Sequence, residues 1–243
     1  MNILINYADN GFQNAQRRNS ESGLKNGFDK VINYCRKDID SDFLNKNEYI
    51  LNKVRGAGYW LWKPYIIFKT LENVTEEDIV FYSDCGSVFI KNIQPLLDLV
   101  KYEDVILFFD GKSDGQDDSW LNRQWTKRDV FVFMDADTEE YYNSGTMLAS
   151  FQIYRRSEKS ISFIKKYLDL CCHPELITDD DNICDLPNLI GFEDHRHDQS
   201  ILGIFAKKEN INLHKDPTQY GNGSIGLKND NYAQLIRHDR FRD

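Results

Sequence analysis

Short apolar runs of strand length alternate with amphipathic stretches of helix length along this 243-residue chain, and that alternation restricts it to layered α/β folds. The run with the clearest limits is Asp78-Ile79-Val80-Phe81-Tyr82, rich in β-branched and aromatic residues, which stops at Ser83-Asp84-Cys85-Gly86. Residues 2–7, Lys30 to Tyr34, Val105 to Phe109 and Met147 to Tyr154 also read as strands, with Ile211 to His214 as a late one. Between them, Asp42 is placed to cap a helix running through Phe43, Leu44, Tyr49, Ile50 and Leu51. Pro64 fits the first turn of a helix that buries Ile67, Phe68 and Leu71, because its missing N–H does no harm there. Ser157 to Cys171 carries Ile161, Ile164 and Leu168 on one face, and Asp198 to Lys207 reads as a further short helix. Gly56-Ala57-Gly58 punctuates the chain, but no repeat or Pro/Gly-rich linker divides it, so a single domain is expected.

Bulk properties remove several classes of function. A hydrophobic fraction of 41% and a charged fraction of 28% suit a globular protein with a real core. A net charge of −9 argues against general nucleic-acid binding, which needs clustered Lys and Arg. No apolar run reaches membrane-spanning length, and residues 1–7 lack the basic region and long apolar stretch of a secretory leader. A cytoplasmic location is therefore expected, with the five cysteines (Cys35, Cys85, Cys171, Cys172, Cys184) as reduced thiols. Those cysteines and the histidines match no standard zinc spacing, and Thr178-Asp179-Asp180-Asp181-Asn182 lacks the glycine and distal Glu of a calcium loop.

Four constellations carry chemistry. Asp84 stands where a strand ends, the position at which open α/β sheets bind ligands, and Gly86 lets backbone approach a ligand closely. It also suits an Asx-turn, and both readings stay open. Tyr59-Trp60-Leu61-Trp62-Lys63-Pro64 crowds aromatic rings and one cation at a helix start, which attracts anions; core tryptophans and a solvated Lys63 are the plainer alternative. His195-Arg196-His197-Asp198-Gln199-Ser200 precedes an apolar helix, and an Asp-Gln pair can hold two sugar hydroxyls. The tail, Arg237-His238-Asp239-Arg240, reads either as a frayed end or as a segment folding over a phosphate ligand.

In order, these pieces resemble the GT-A glycosyltransferases, in particular small bacterial and viral enzymes of surface-polysaccharide synthesis. The residues that carry the resemblance are Tyr59 to Tyr65, Tyr82-Ser83-Asp84-Cys85-Gly86, Trp125-Thr126-Lys127-Arg128-Asp129 and His197-Asp198-Gln199-Ser200. The resemblance implies a mostly parallel, Rossmann-like central sheet flanked by helices. It implies a nucleotide-sugar-binding half over about residues 1–110 and an acceptor-binding half over about 111–243. It implies Tyr7, Ala8 and the residues up to Asn10 near the base, and Asp84 at the first position of the family's D-x-D pattern, where acids hold Mn²⁺ or Mg²⁺. Gly86 replaces the second acid, so His238 is the residue that would restore a metal ligand.

The resemblance further implies a hexosyltransferase that takes a nucleotide-sugar donor, UDP-linked above all, and a glycan or lipid-linked acceptor. A lipid-linked acceptor leaves peripheral membrane association open. In this reading Asp198 and Gln199 face the transferred sugar, and Lys63 and Arg128 balance phosphate charge, with a solvated basic pair as the alternative for Lys127 and Arg128. Retention is favoured over inversion, which would need Asp198 or Asp110 as base. A metal-dependent hydrolase built on Asp84, Asp110 and Asp198, and a sugar-binding module built on Trp60 and Trp62, are the rival readings.

Overall fold

The computed structural model describes residues 1–9, 11–110, 120–224 and 226–239. Asn10 and Arg240, each of which belongs to a motif above, lie outside them. A six-stranded sheet forms the centre, in the order β2-β1-β3-β6-β5-β7. Its strands are β1 (Asn2–Tyr7), β2 (Lys30–Tyr34), β3 (Ile79–Ser83), β5 (Val105–Phe109), β6 (Met147–Arg155) and β7 (Leu213–His214). All run parallel except β6, which lies antiparallel between β3 and β5. A mostly parallel α/β sheet in a single domain is therefore what the chain forms. The strand expected at Ile211 is shorter, reduced to Leu213–His214.

Period-2 alternation divides the sheet's side chains between two cores. Ile3, Ile5, Val80, Tyr82, Val105 and Leu107 point to one, and Leu4, Phe81, Ile106 and Phe108 to the other. Both faces are covered, which explains why these strands read as continuous apolar runs. The first face carries α2 (Trp62–Asn73), α3 (Glu158–Cys171) and α4 (Asp198–Lys208). Pro64 does sit in the first turn of α2, and Ser157 caps α3 by accepting the Ser160 N–H at 3.1 Å. Asp42 does not cap: the helix there starts at Ser41 and ends at Lys46, with Asp40 before it, and a second short helix spans Glu48–Leu51. The other face carries α1 (Gln13–Lys25). Gly23 brings α1 against the sheet, since a Cβ there would stand 2.5 Å from Leu4 Cδ2.

Two strands had no sequence signal. β4 (Ser87–Phe89) and β8 (Ile236–His238) pair antiparallel as a separate ribbon, Ser87 opposite His238 and Phe89 opposite Ile236. The tail thus returns to the strand that directly follows the Asp84 turn.

Candidate active site

The parallel strands β1 and β3 end side by side, and a cleft of about 570 Å³ opens there. Tyr7, Ala8 and Asp9 form one wall, and Tyr82, Asp84, Cys85 and Gly86 another. Gly56, Ala57, Trp60 and Trp62 form a third wall, and His238 closes the site from β8. Trp62 is 6% exposed and stacks on Tyr7 with ring centroids 3.9 Å apart, while Trp60 is half-buried at the cleft wall.

Asp84 is held from the α2 side. Tyr82 lies two residues earlier on the strand, hence on the same face, and its hydroxyl donates to Asp84 Oδ1 at 2.6 Å. Lys63 Nζ lies 3.9 Å from the same oxygen and 2.7 Å from Asp198 Oδ2. Lys63 is not solvated: it is 3% exposed, as is Asp198, and α2 and α4 bring the two together beneath the cleft. Tyr167 of α3 completes the cluster, donating to Asp198 Oδ2 at 3.3 Å. Burial works against the Lys63 charge, but the Asp198 and Asp84 carboxylates outweigh it and hold the ammonium above its usual range. Burial pushes Asp198 up, and Lys63 pulls it back. Burial, reinforced by Asp84, keeps the Tyr82 hydroxyl protonated well beyond the normal tyrosine range.

The start of α4 is fixed by its neighbours. Ser200 Oγ donates to the Trp125 carbonyl at 2.6 Å, and the Arg196 guanidinium lies 4.3 Å over the Trp125 ring. The Trp125–Asp129 segment therefore anchors the Asp198 helix. Lys127 is 3% exposed, donates to the Asp180 carbonyl at 2.7 Å and stands 3.3 Å from Asp129. The structure does not bring Arg128 to the cleft: its Nη2 donates to Asp137 Oδ2 at 2.9 Å and its guanidinium lies over Tyr142. Gln199 is half-buried in the first turn of α4, beside Asp198 and outside the cleft lining. Asp110, 8% exposed, follows β5 and donates its N–H to the Thr146 carbonyl at 3.1 Å.

The wall at Gly56 has an unusual backbone. Gly56, Ala57, Gly58, Tyr59 and Trp60 all have positive φ, at 59°, 52°, 100°, 50° and 61°, which makes one left-handed helical turn. Each non-glycine residue in it costs roughly 1–2 kcal/mol relative to the right-handed form. Contacts hold it: a Cβ on Gly58 would stand 2.7 Å from Leu51 Cα, one on Gly56 would enter the Trp60 ring, and Trp62 Nε1 donates to the Gly56 carbonyl at 2.9 Å. Tyr59 and Trp60 pack on the His197 ring, with centroids 4.9 and 5.3 Å away.

His197 itself donates from Nε2 to Asp179 at 2.9 Å, and Arg55 ties Asp179 to Asp194 at 3.0 and 2.7 Å. The acidic loop is thus partnered rather than merely solvated. Burial lowers His197 from 6.5 to about 4, against the pull of Asp179. A depressed histidine gives its stabilisation above the unfolded value and loses it as pH falls toward the folded one. Unfolding free energy should therefore drop between pH 6.5 and about 4, by about 3 kcal/mol from this residue, with buried His195 acting in the same direction. Urea titrations across that range read the loss; a flat profile would refute it.

Comparison with solved structures places this arrangement. Mouse xyloside xylosyltransferase 1, in its apo form, superposes with a TM-score of 0.52 at 9% identity, covering 98% of this chain and 96% of its own. The fold is that of a GT-A glycosyltransferase. At that identity the likeness concerns the GT-A fold and not the chemistry. The galactosyltransferase LgtC, in complex with donor and acceptor sugar analogs, aligns at a TM-score of 0.46 and 13% identity over 98% of this chain and 86% of its own. The apo form of GlyE from Streptococcus pneumoniae aligns at 0.42 and 15% identity, over 98% of this chain and 54% of its own. No family model and no curated protein matches the sequence. Among the described residues, no helix is long and apolar enough to cross a membrane.

Proposed function

We propose that this chain transfers a hexose from a nucleoside-diphosphate donor, a UDP-sugar in particular, to a glycan or lipid-linked sugar acceptor with retention at the anomeric carbon. The observation that carries this reading is the meeting of Tyr7, Asp84 and His238 in one cleft, with the buried Lys63–Asp198 pair reaching it from below. Tyr7 and Ala8 flank the base, Gly86 leaves room for the diphosphate, and about residues 111–243 supply the acceptor side. Lys63, buried beneath the cleft rather than lining it, would act on the diphosphate through its field and through Asp84 and not by direct contact.

Asp198 is too buried to meet an acceptor hydroxyl directly, which favours an electrostatic role over that of a base. Its carboxylate then stabilises positive charge developing on the donor sugar as the bond to diphosphate breaks. Gln199 stands outside the cleft lining, so the sugar contact expected of it is not part of this reading.

Asp84 and His238 both line the cleft, so a divalent cation would find one carboxylate and one imidazole there. Among the described residues no three His, Cys, Asp or Glu side chains converge on a metal position. Mg²⁺ in phosphate enzymes is held by only one or two carboxylates beside phosphate and water. Asp84 and His238 would be the protein ligands, and the ion would neutralise charge on the departing diphosphate.

Thermal unfolding with a panel of nucleoside diphosphates tests the reading. UDP at a hundred times its Kd should add about 2.7 kcal/mol, a rise of roughly 5–10 °C for a chain of this size. The rise should grow with Mn²⁺, and UDP-sugar turnover should depend on an acceptor. No response to any nucleotide, or hydrolysis indifferent to acceptors, would reject it.

A further inference from the structure

The face that α1 turns toward the Asp84 turn is polar. Asn19, Ser22 and Asn26 recur at intervals that place them on one stripe of the helix. A helix packed on a sheet normally lays an apolar stripe there. Asn19 is fully buried, and its amide is used on both sides. Nδ2 donates to Ser83 Oγ at 3.1 Å and to the Ser87 carbonyl at 3.0 Å, while Oδ1 accepts from Asn6 Nδ2 at 2.8 Å. Ser83 Oγ in turn donates to the Asp84 carbonyl at 3.1 Å. Further along, Ser22 Oγ accepts the Phe89 N–H at 3.1 Å and Asn26 Nδ2 donates to the Phe89 carbonyl at 3.0 Å.

Ser83 and Ser87 are the two feet of the turn that carries Asp84, Cys85 and Gly86, and the Ser87 N–H closes it on the Asp84 carbonyl at 3.2 Å. We propose that Asn19 is a positioning residue for the donor site: one amide ties both feet of the Asp84 turn and so sets where Asp84, and through the Ser87–His238 pairing His238, stand in the cleft. Its chemical meaning rests on the donor-site reading of Asp84. Strand direction makes the grip two-sided. Side chains alternate across the sheet, so Ser83 points to α1 and Asn19, whereas Tyr82 and Asp84 point to α2 and Lys63. Neither grip alone fixes both the backbone and the carboxylate. A buried amide left without its partners is costly, so this stripe holds one register of the turn and disfavours others.

The test compares Asn19→Ala with Asn26→Ala, which removes a half-buried, hydrogen-bonded amide from the same stripe but away from the turn. Cys85, half-buried in the turn, is a built-in reporter. Its alkylation by iodoacetamide, followed peptide by peptide by mass spectrometry, needs no donor. Asn19→Ala should change the Cys85 rate by about threefold or more through local loosening and raise the UDP Kd about tenfold. Asn26→Ala should lower the melting temperature similarly while leaving both readouts near wild type.

Ser83→Ala, which removes the link from Asn19 to the Asp84 carbonyl, should act in the same direction as Asn19→Ala and more weakly; it carries the test if Asn19→Ala does not fold. Unchanged Cys85 alkylation in the folded Asn19→Ala or Ser83→Ala variant, or the same change in Asn26→Ala, overturns the proposal. If the wild type binds no nucleoside diphosphate, the donor reading fails separately, and the Cys85 rates still decide whether Asn19 holds the turn.

Discussion

Asp84→Ala is expected to lower sugar transfer by at least about 10³-fold, the scale on which a group stabilising transition-state charge acts, while the protein stays folded. The side chain is 31% exposed, so its removal opens no closed cavity. What the fold loses is the acceptor for the buried Tyr82 hydroxyl, worth about 1–3 kcal/mol. Lys63 keeps its closer partner at 2.7 Å, so the buried pair survives. Initial-rate measurements with a UDP-sugar, beside a melting curve, check both halves of the expectation. Turnover within a few-fold of wild type would remove Asp84 from the donor site.

Lys63→Met should be the most destabilising substitution in the site. It leaves Asp198 buried at 3% exposure with no cation, and breaking a buried pair from one side costs about 3–5 kcal/mol, or roughly 10 °C in a protein of this length. Transfer should fall by about 10²–10³-fold as well. Adding Asp198→Asn to Lys63→Met removes the stranded charge, so the double variant should regain part of the lost stability and none of the activity. A double variant no more stable than Lys63→Met would show that the carboxylate is not charged in the folded protein. Activity restored along with stability would show that the pair serves the fold alone.

Much of the framework was legible because both faces of the sheet are covered. That burial writes apolar runs into the sequence, and the limits of β1 and β5 follow directly from them. Pro64 marked the start of α2 for a purely local reason, its missing N–H. The Asp84 position was readable from strand-end logic, and Tyr82 was within reach, since two residues along a strand means the same face. Elements fixed by distant partners were not legible. β4 and β8 have three residues each and exist because they pair with one another. Lys63 read as a phosphate partner or a surface charge, since nothing local reveals that Asp198, far away in sequence, folds onto it. Arg128 is drawn to Asp137 by the short helix on which it sits. The stripe of α1 is polar, so hydropathy alone gives no sign that Asn19 is inside; its hydrogen bonds to Ser83 and Ser87 explain it.

Gly56-Ala57-Gly58 looked like simple punctuation, yet these residues open five in succession on the left-handed side of backbone space. A wall made in this way owes its contour to handedness rather than to side-chain size. Trimming the rings that line it would enlarge the cleft without changing its outline. A return to right-handed geometry would reverse the direction in which Trp60 leaves the backbone and draw both Tyr59 and Trp60 off the His197 ring that precedes Asp198. The cleft wall and the start of the Asp198 helix are therefore mechanically one piece, set by backbone handedness.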